Sequence, residues 1–166
     1  GFDWQCTRKL STPEGERRWE VHKIKLPANV EDVWLVIGDT KIHSKTGDVV
    51  AMVASLLKEN PERMIEIETM GDLARRGAAA LRSGDLDEVG KCMSENHLLL
   101  RGLGVSCPEL ETLIQAAAPT SLGVKLTGAG AGGCMVALTK EPTLTCGEIE
   151  LAGGRAYITK IGGEGV

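Results

Sequence analysis

VKLTGAGAGGCMVALTK, residues 124–140, places four glycines within the six positions 128–133, between two apolar runs. Gly128, Gly130 and Gly133 also satisfy G-x-G-x-x-G, the spacing of a dinucleotide-binding turn. Such a turn needs a strand before it and a helix after it, because the helix N-terminus holds the pyrophosphate. Here the run after Gly133, CMVALT, has the pattern of a strand. No suitably placed acid follows, since Glu141 and Glu148 fall on segments that read as short turns. The dinucleotide reading fails on both counts. A Walker loop fails as well, because no Gly-Lys-Ser/Thr closes the stretch. Two readings remain: a tight glycine-rich hairpin, or a bare backbone surface that another group can approach closely. Four glycines exceed the one or two that a two-residue hairpin turn requires.

Working outward, the segments before this stretch read as helices and those after it as strands. GVKLT leads into the glycines, and RAYITKI closes the chain's regular pattern. Ser106 with Glu109 spells a capping box for a helix over PELETLIQAAA, which Pro119 ends. Asp85 with Glu88 starts the helix before it, whose apolar face carries Leu86, Val89, Met93, His97 and Leu100. Gly102 and Gly104 end that helix. Asn60 and Pro61 open another, running to about Gly84, and Ser44 caps one through KTGDVVAMVASLLKEN. Before these lies DVWLVIGD, a short apolar run expected to be a buried central strand. Residues 1–26 read as two strands, with Phe2, Trp4 and Cys6 alternating on one face and a turn at Pro13 and Gly15. Strands, then helices, then strands predict an α+β fold. Helices would pack on one face of an antiparallel sheet, in a ferredoxin-like arrangement.

Composition narrows the function. The 166 residues fit one domain, with 42 % hydrophobic side chains and only 3 % aromatic ones. Net charge is −4 and no Lys/Arg run exceeds two residues, which argues against nucleic acid or an anionic membrane surface as main partner. No apolar run approaches the roughly 20 residues of a membrane span. The five cysteines, Cys6, Cys92, Cys107, Cys134 and Cys146, form no C-x-x-C pair, so neither a disulfide framework nor a zinc site is expected. Nothing in the pattern suggests secretion, and a cytoplasmic location is expected. The chain starts at Gly1 rather than Met, as a processed chain or a piece of a longer one would.

Three further places hold candidate chemistry. Asp39 ends the central strand, where a catalytic carboxylate often sits; a solvated strand end or a turn residue after Gly38 is the simpler reading. In HSKT, residues 43–46, Ser44 and Thr46 offer hydroxyls at a helix start that could hold an anion or merely cap the helix. His22, His43 and His97 form no visible cluster, and His97 on an apolar helix face reads as a core residue.

The residues around the glycines carry a resemblance. Lys125-Leu126-Thr127 runs straight into Gly128-Ala129-Gly130, and Gly132-Gly133-Cys134 follows. This resembles the third motif of the GHMP kinases, the family of galactokinase, homoserine kinase, mevalonate kinase and phosphomevalonate kinase. NHLLLRGLGVSCPELETLI, VIGDTKIHSKTGDVVAMV and AYITKIGGEGV are similar to segments of the mevalonate kinase branch, the last to its archaeal type. The resemblance spans residues 33–166. Ala131 departs from it, standing where many relatives have glycine, and Gly47-Asp48-Val49 fits loosely. Larger parts of the family pattern are missing: an early substrate-side lysine, a Pro-x-x-x-Gly-Leu-Gly-Ser-Ser phosphate loop and a catalytic Asp. Asp39 does not match that Asp.

The resemblance therefore implies the C-terminal domain of such a kinase over residues 27–166, with residues 1–26 as strands joining it to an N-terminal GHMP kinase domain. It implies transfer of the ATP γ-phosphoryl group to the 5-hydroxyl of mevalonate. ATP and Mg²⁺ would be held mainly by the N-terminal domain. It implies no catalytic residue and no metal ligand in this chain, inactivity of the chain alone, and a homodimer of the full enzyme. Lys125, Thr127, Gly128, Ala129, Gly130, Ala131, Gly132 and Gly133 would lie near the phosphates, and Thr46 on the substrate side. The alternatives are a domain of phosphomevalonate kinase or another GHMP kinase, or a non-catalytic ferredoxin-like module for ligand binding or dimerisation.

Overall fold

The computed structural model describes residues 6–12, 15–21, 24–28, 30 and 32–161. Cys6–Thr12 (β1) and Gly15–Val21 (β2) form a separate antiparallel hairpin, with Cys6 opposite Val21 and Thr12 opposite Gly15. The expected alternation of Phe2 and Trp4 lies outside the described residues. The main sheet uses Trp34–Asp39 (β3), Gly123–Thr127 (β4), Cys134–Thr139 (β5) and Arg155–Lys160 (β6). Its order is β4-β5-β3-β6, with every neighbouring pair antiparallel. Counted from β3, that is the 2-3-1-4 order of a ferredoxin-like fold, as the element pattern predicted. Strand β3 is flanked on both sides, which is why WLVIGD carries apolar residues without strict alternation.

Helices Thr46–Glu59 (α1), Met64–Ser83 (α2), Leu86–Gly102 (α3) and Pro108–Ala117 (α4) fill the link from β3 to β4. A fifth helix, Pro142–Leu151 (α5), links β5 to β6. The sequence reading assigned turns there, and the reason is physical. Its segment PTLTCGEIEL holds threonines and a glycine, which are weak helix formers, and buries only Thr145 and Ile149. Packing against the sheet, rather than propensity, makes it helical. The Thr145 hydroxyl meets that of Thr139 at 3.0 Å and accepts or donates to that of Thr120 at 2.9 Å, tying α5 to the end of β5.

Two caps differ from expectation. Lys45, not Ser44, occupies the N-cap of α1, and Cys107, not Ser106, that of α4. Ser44 and Ser106 are bonded elsewhere, as described below. Pro61 opens a single 3-10 turn, Pro61–Arg63, before α2. Asp85 caps α3 as predicted, accepting from the Glu88 amide at 3.0 Å.

The main core lies on the face that α4 and α5 cover, where Val36, Leu126, Met135 and Ala137 meet Leu110, Leu113 and Ile149. Helix α3 stands beside β4 and shields that edge. The Ser94 hydroxyl accepts from the Val124 amide at 3.3 Å, and His97 Nδ1 from the Leu126 amide at 3.4 Å. Side chains thus satisfy amides that an open edge would leave to another strand. The approach is close because Gly90 on α3 and Gly123 on β4 both lack a side chain: a Cβ on Gly90 would lie 2.2 Å from the Leu122 carbonyl oxygen, and one on Gly123 2.0 Å from that of Gly90. The linked ends of α2 and α3 reach round to the other face, where Ala80, Leu86 and Val89 cover Leu138 and Leu35.

Candidate functional site: a glycine-lined cleft

Residues 128–133 form the loop between β4 and β5. Gly128, Gly130, Gly132 and Gly133 all have positive φ, and so does Ala131 at 54°. That run explains the glycine count, since side chains are costly in this backbone region. Two of the glycines also lie hard against neighbouring backbone. A Cβ on Gly130 would sit 1.9 Å from the Val105 carbonyl oxygen, and one on Gly132 2.8 Å from that of Ile42. Gly128 and Gly133 instead face open space.

Two supports hold the loop. From the α3–α4 turn, the Val105 carbonyl accepts from the Ala131 amide at 2.8 Å. From the segment after β3, the Ile42 carbonyl accepts from the Gly133 amide at 2.9 Å. The Thr40 amide and hydroxyl both donate to the Gly133 carbonyl, at 2.9 and 2.8 Å. Ser44 completes this support: its hydroxyl donates to the Gly130 carbonyl. The residue read as a cap is therefore a clasp on the loop.

Between the loop and this segment lies a cleft of about 450 Å³. Thr127, Gly128, Ala129, Gly130, Gly132 and Gly133 line one side, and Asp39, Lys41, Ile42, His43, Ser44 and Thr46 the other. Among the described residues, the amides of Gly128, Ala129 and Gly132 have no backbone partner, while Gly128 and Ala129 form a turn that the Gly130 amide closes. Thr46 is the first residue of α1, so that helix begins at the cleft wall and adds its partial positive charge. Unpaired amides, two threonine hydroxyls and a helix N-terminus suit an anionic group such as a phosphate.

The structure brings together Thr46, HSKT, Asp39, Thr127 and the glycines, which the sequence offered as separate candidates. It does not bring Lys125 with them. Lys125 lines a different groove, between α2 and α3, and burial lowers its pKa. Asp39 enters the cleft wall, where its Oδ1 accepts from the Lys41 amide at 2.8 Å, the turn role that the sequence favoured. Burial and the Asp39 charge push the Cys134 thiol up, which keeps it a poor nucleophile. Asp39 is the one carboxylate among the cleft-lining residues, and no group of three or more His, Cys, Asp or Glu suited to a metal occurs among the described residues. This donor set does not fit a Mg²⁺ cage, which takes oxygen ligands in octahedral array.

His97 is buried, as read from its helix face, and has a specific job. Its Nε2 donates to Glu111 Oε1 at 3.0 Å, while Nδ1 accepts from Leu126. The Ser106 hydroxyl donates to the same Glu111 oxygen. This chain of bonds links the strand entering the glycine loop to the turn supporting it. Sequence reasoning missed Val105, Ser106 and Glu111 as supports, because nothing local marks a contact made across the fold. Burial lowers the His97 pKa despite Glu111; hydrogen bonds and nearby positive charge lower that of Glu111 despite burial.

The family profile described as GHMP kinases C terminal matches residues 78–144. A mevalonate kinase of Thermococcus onnurineus is 40 % identical over 142 residues, covering 80 % of this chain and 42 % of that protein. The chain thus spans about two fifths of the length of the curated relatives it matches. Among solved structures, an L. major mevalonate kinase in complex with R-mevalonate superposes with TM-score 0.66 at 27 % identity, over 88 % of this chain and 43 % of that one. A Streptococcus pneumoniae phosphomevalonate kinase superposes with TM-score 0.72 at 19 % identity, over 89 % and 43 %, and shows the shared fold alone. The glycine loop, the sheet order and these matches agree: the chain belongs to the GHMP kinases and carries their C-terminal domain.

Proposed function

We propose that the chain is the C-terminal domain of a mevalonate kinase, which transfers the γ-phosphoryl group of ATP to the 5-hydroxyl of mevalonate. The observation that supports this most is the cleft itself: among the described residues, three amides without a backbone partner on a glycine loop, with Thr46 on the opposite wall and Thr127 beside them. ATP with Mg²⁺ supplies the phosphoryl group and the charge neutralisation of such a transfer. The residues of this chain bind and position. The bare loop admits a phosphate, or a neighbouring phosphate-binding loop, to within hydrogen-bond distance of its amides. Thr127 and Thr46 offer hydroxyls from opposite walls, and Ser44 keeps the loop in place. The general base and metal ligands come from a preceding domain, to which residues 1–26 join residues 27–166. The chain alone is then inactive.

The test is a substrate panel on the polypeptide that contains this chain, with mevalonate, phosphomevalonate and homoserine each offered with ATP and Mg²⁺. Mevalonate should be phosphorylated at the highest kcat/KM. A preference for phosphomevalonate would replace the substrate and keep the family; no turnover of any of the three would reject the kinase reading.

A further inference from the structure

Glu111, on α4, lies outside the cleft lining, yet three side chains converge on its carboxylate. Its Oε1 accepts from His97 Nε2 at 3.0 Å and from the Ser106 hydroxyl, and its Oε2 faces the Arg101 guanidinium at 3.5 Å. The Glu111 side chain is only 21 % exposed and that of His97 6 %. A carboxylate drawn this far out of water needs such partners. It also settles the state of His97. An ionised carboxylate only accepts, so the imidazole proton sits on Nε2 and Nδ1 is left as an acceptor. Nδ1 takes the Leu126 amide at 3.4 Å, on the outer side of the edge strand β4. The opposite tautomer would set an N–H against that amide.

Two holds on the glycine loop start from this one oxygen. Through His97 it fixes Leu126, the neighbour of Thr127, where the chain enters the loop. Through Ser106 it fixes the α3–α4 turn, whose Val105 carbonyl takes the Ala131 amide at 2.8 Å and abuts Gly130. The loop's third hold, Gly133 on Ile42 and Thr40, comes from the opposite wall. We infer that Glu111 is a positioning residue, which keeps Thr127 and the first half of the glycine loop at a set distance from the Thr46 wall. The inference rests on the proposed phosphoryl transfer for its effect on rate, and on the hydrogen bonds alone for its effect on the loop. Loss of the carboxylate would free Leu126 and the Val105 turn together, while Gly133 stays tied to the other wall. The amides of Gly128 and Ala129 would then shift relative to Thr46. A misplacement of about an ångström costs roughly a hundredfold in rate, because such a transfer depends on geometry and charge placement.

The test compares Glu111→Leu, Glu111→Gln, Ser106→Ala and Asp85→Ala in the polypeptide that contains this chain, with mevalonate, ATP and Mg²⁺. Glu111→Leu should lower kcat about 10- to 100-fold and move either KM by less than about threefold, the mark of a group that acts on the transition state. Glu111→Gln keeps an acceptor for His97 and Ser106, and should hold kcat within about threefold of the parent. Asp85→Ala loosens the far end of α3 and should leave kcat unchanged, which separates positioning from stability. Amide hydrogen exchange gives a second reading that needs no turnover. In Glu111→Leu, exchange should quicken at least about tenfold at Leu126 and Ala131 and stay unchanged at Gly133. Ser106→Ala, the milder change should Glu111→Leu fail to fold, should quicken Ala131 and spare Leu126. A parental kcat in Glu111→Leu, an equal loss in Glu111→Gln, or exchange quickened as much at Gly133 as at Leu126 would overturn the inference. So would Ser106→Ala with parental exchange at Ala131. Should the parent phosphorylate no mevalonate, the kinase reading fails, and the exchange pattern alone supports or overturns the positioning role.

Discussion

Replacing Gly130 by alanine tests the loop's construction directly. The added Cβ would stand 1.9 Å from the Val105 carbonyl oxygen and 2.9 Å from its carbon. Real Cβ contacts essentially never fall under 3.0 Å, so one wall must retreat by more than an ångström. That movement breaks the Ala131–Val105 hydrogen bond, about 1 kcal/mol, and strains a packed neighbour, a further 1–3 kcal/mol or so. The left-handed backbone, φ +87°, adds roughly 1–2 kcal/mol. Gly128→Ala is the matched control: its φ is +81°, and nothing lies within 4 Å of the new atom. It should lose only the backbone term, about 1–2 kcal/mol, against about 3–6 kcal/mol for Gly130→Ala. Urea unfolding measures both, with an unchanged m-value showing that the midpoint shift is a stability change. Two variants within about 0.5 kcal/mol of each other would refute the claim that Gly130 is packed backbone to backbone.

His97 gives a pH dependence. Its folded pKa lies below the unfolded value of about 6.5, so the unfolded chain binds the proton more readily. Stability from this group is therefore full above about pH 6.5 and is lost as pH falls, because protonating Nδ1 ends its bond with the Leu126 amide. Unfolding curves from pH 7.5 to 5 should show that fall, and His97→Gln should flatten it; an equal slope in the variant would contradict the assignment. Gly90→Ala should cost more than about 3 kcal/mol, since its Cβ would lie 2.2 Å from Leu122 oxygen and force α3 off β4. A thermal unfolding midpoint near that of the parent would argue against this packing. Asp85→Ala should cost about 1 kcal/mol by removing the cap on α3, and Asp85→Asn much less; the same loss in both would point away from capping.

Much of the fold was legible in short-range signals. Proline, glycine and the Asp85 cap marked the helices α1 to α4 to within a few residues, and apolar runs marked the sheet strands. Helix α5 escaped because its sequence has little helical preference and only a two-residue buried stripe. The caps at Ser44 and Ser106 misled for a shared reason: a serine before a helix has the local chemistry of a cap, yet each hydroxyl found a partner distant in the fold. The glycine loop was legible as something beyond a hairpin, since it held more glycines than a turn needs. What the sequence did not show was the second wall. Residues 39–46 join the loop only because β3 and β5 are sheet neighbours, a pairing decided across nearly a hundred residues. Lys125, placed with the loop by its position in the motif, is turned away from it by its setting beside α2 and α3.

The central claim is that this chain forms half of a phosphoryl-transfer site and needs a preceding domain for the rest. Its most direct test is ATP-dependent phosphorylation of mevalonate, measured for the purified 166-residue chain and for the same chain joined to the sequence preceding it in its gene. The account predicts turnover by the joined protein and none by the chain alone. Sustained turnover by the chain alone would contradict it.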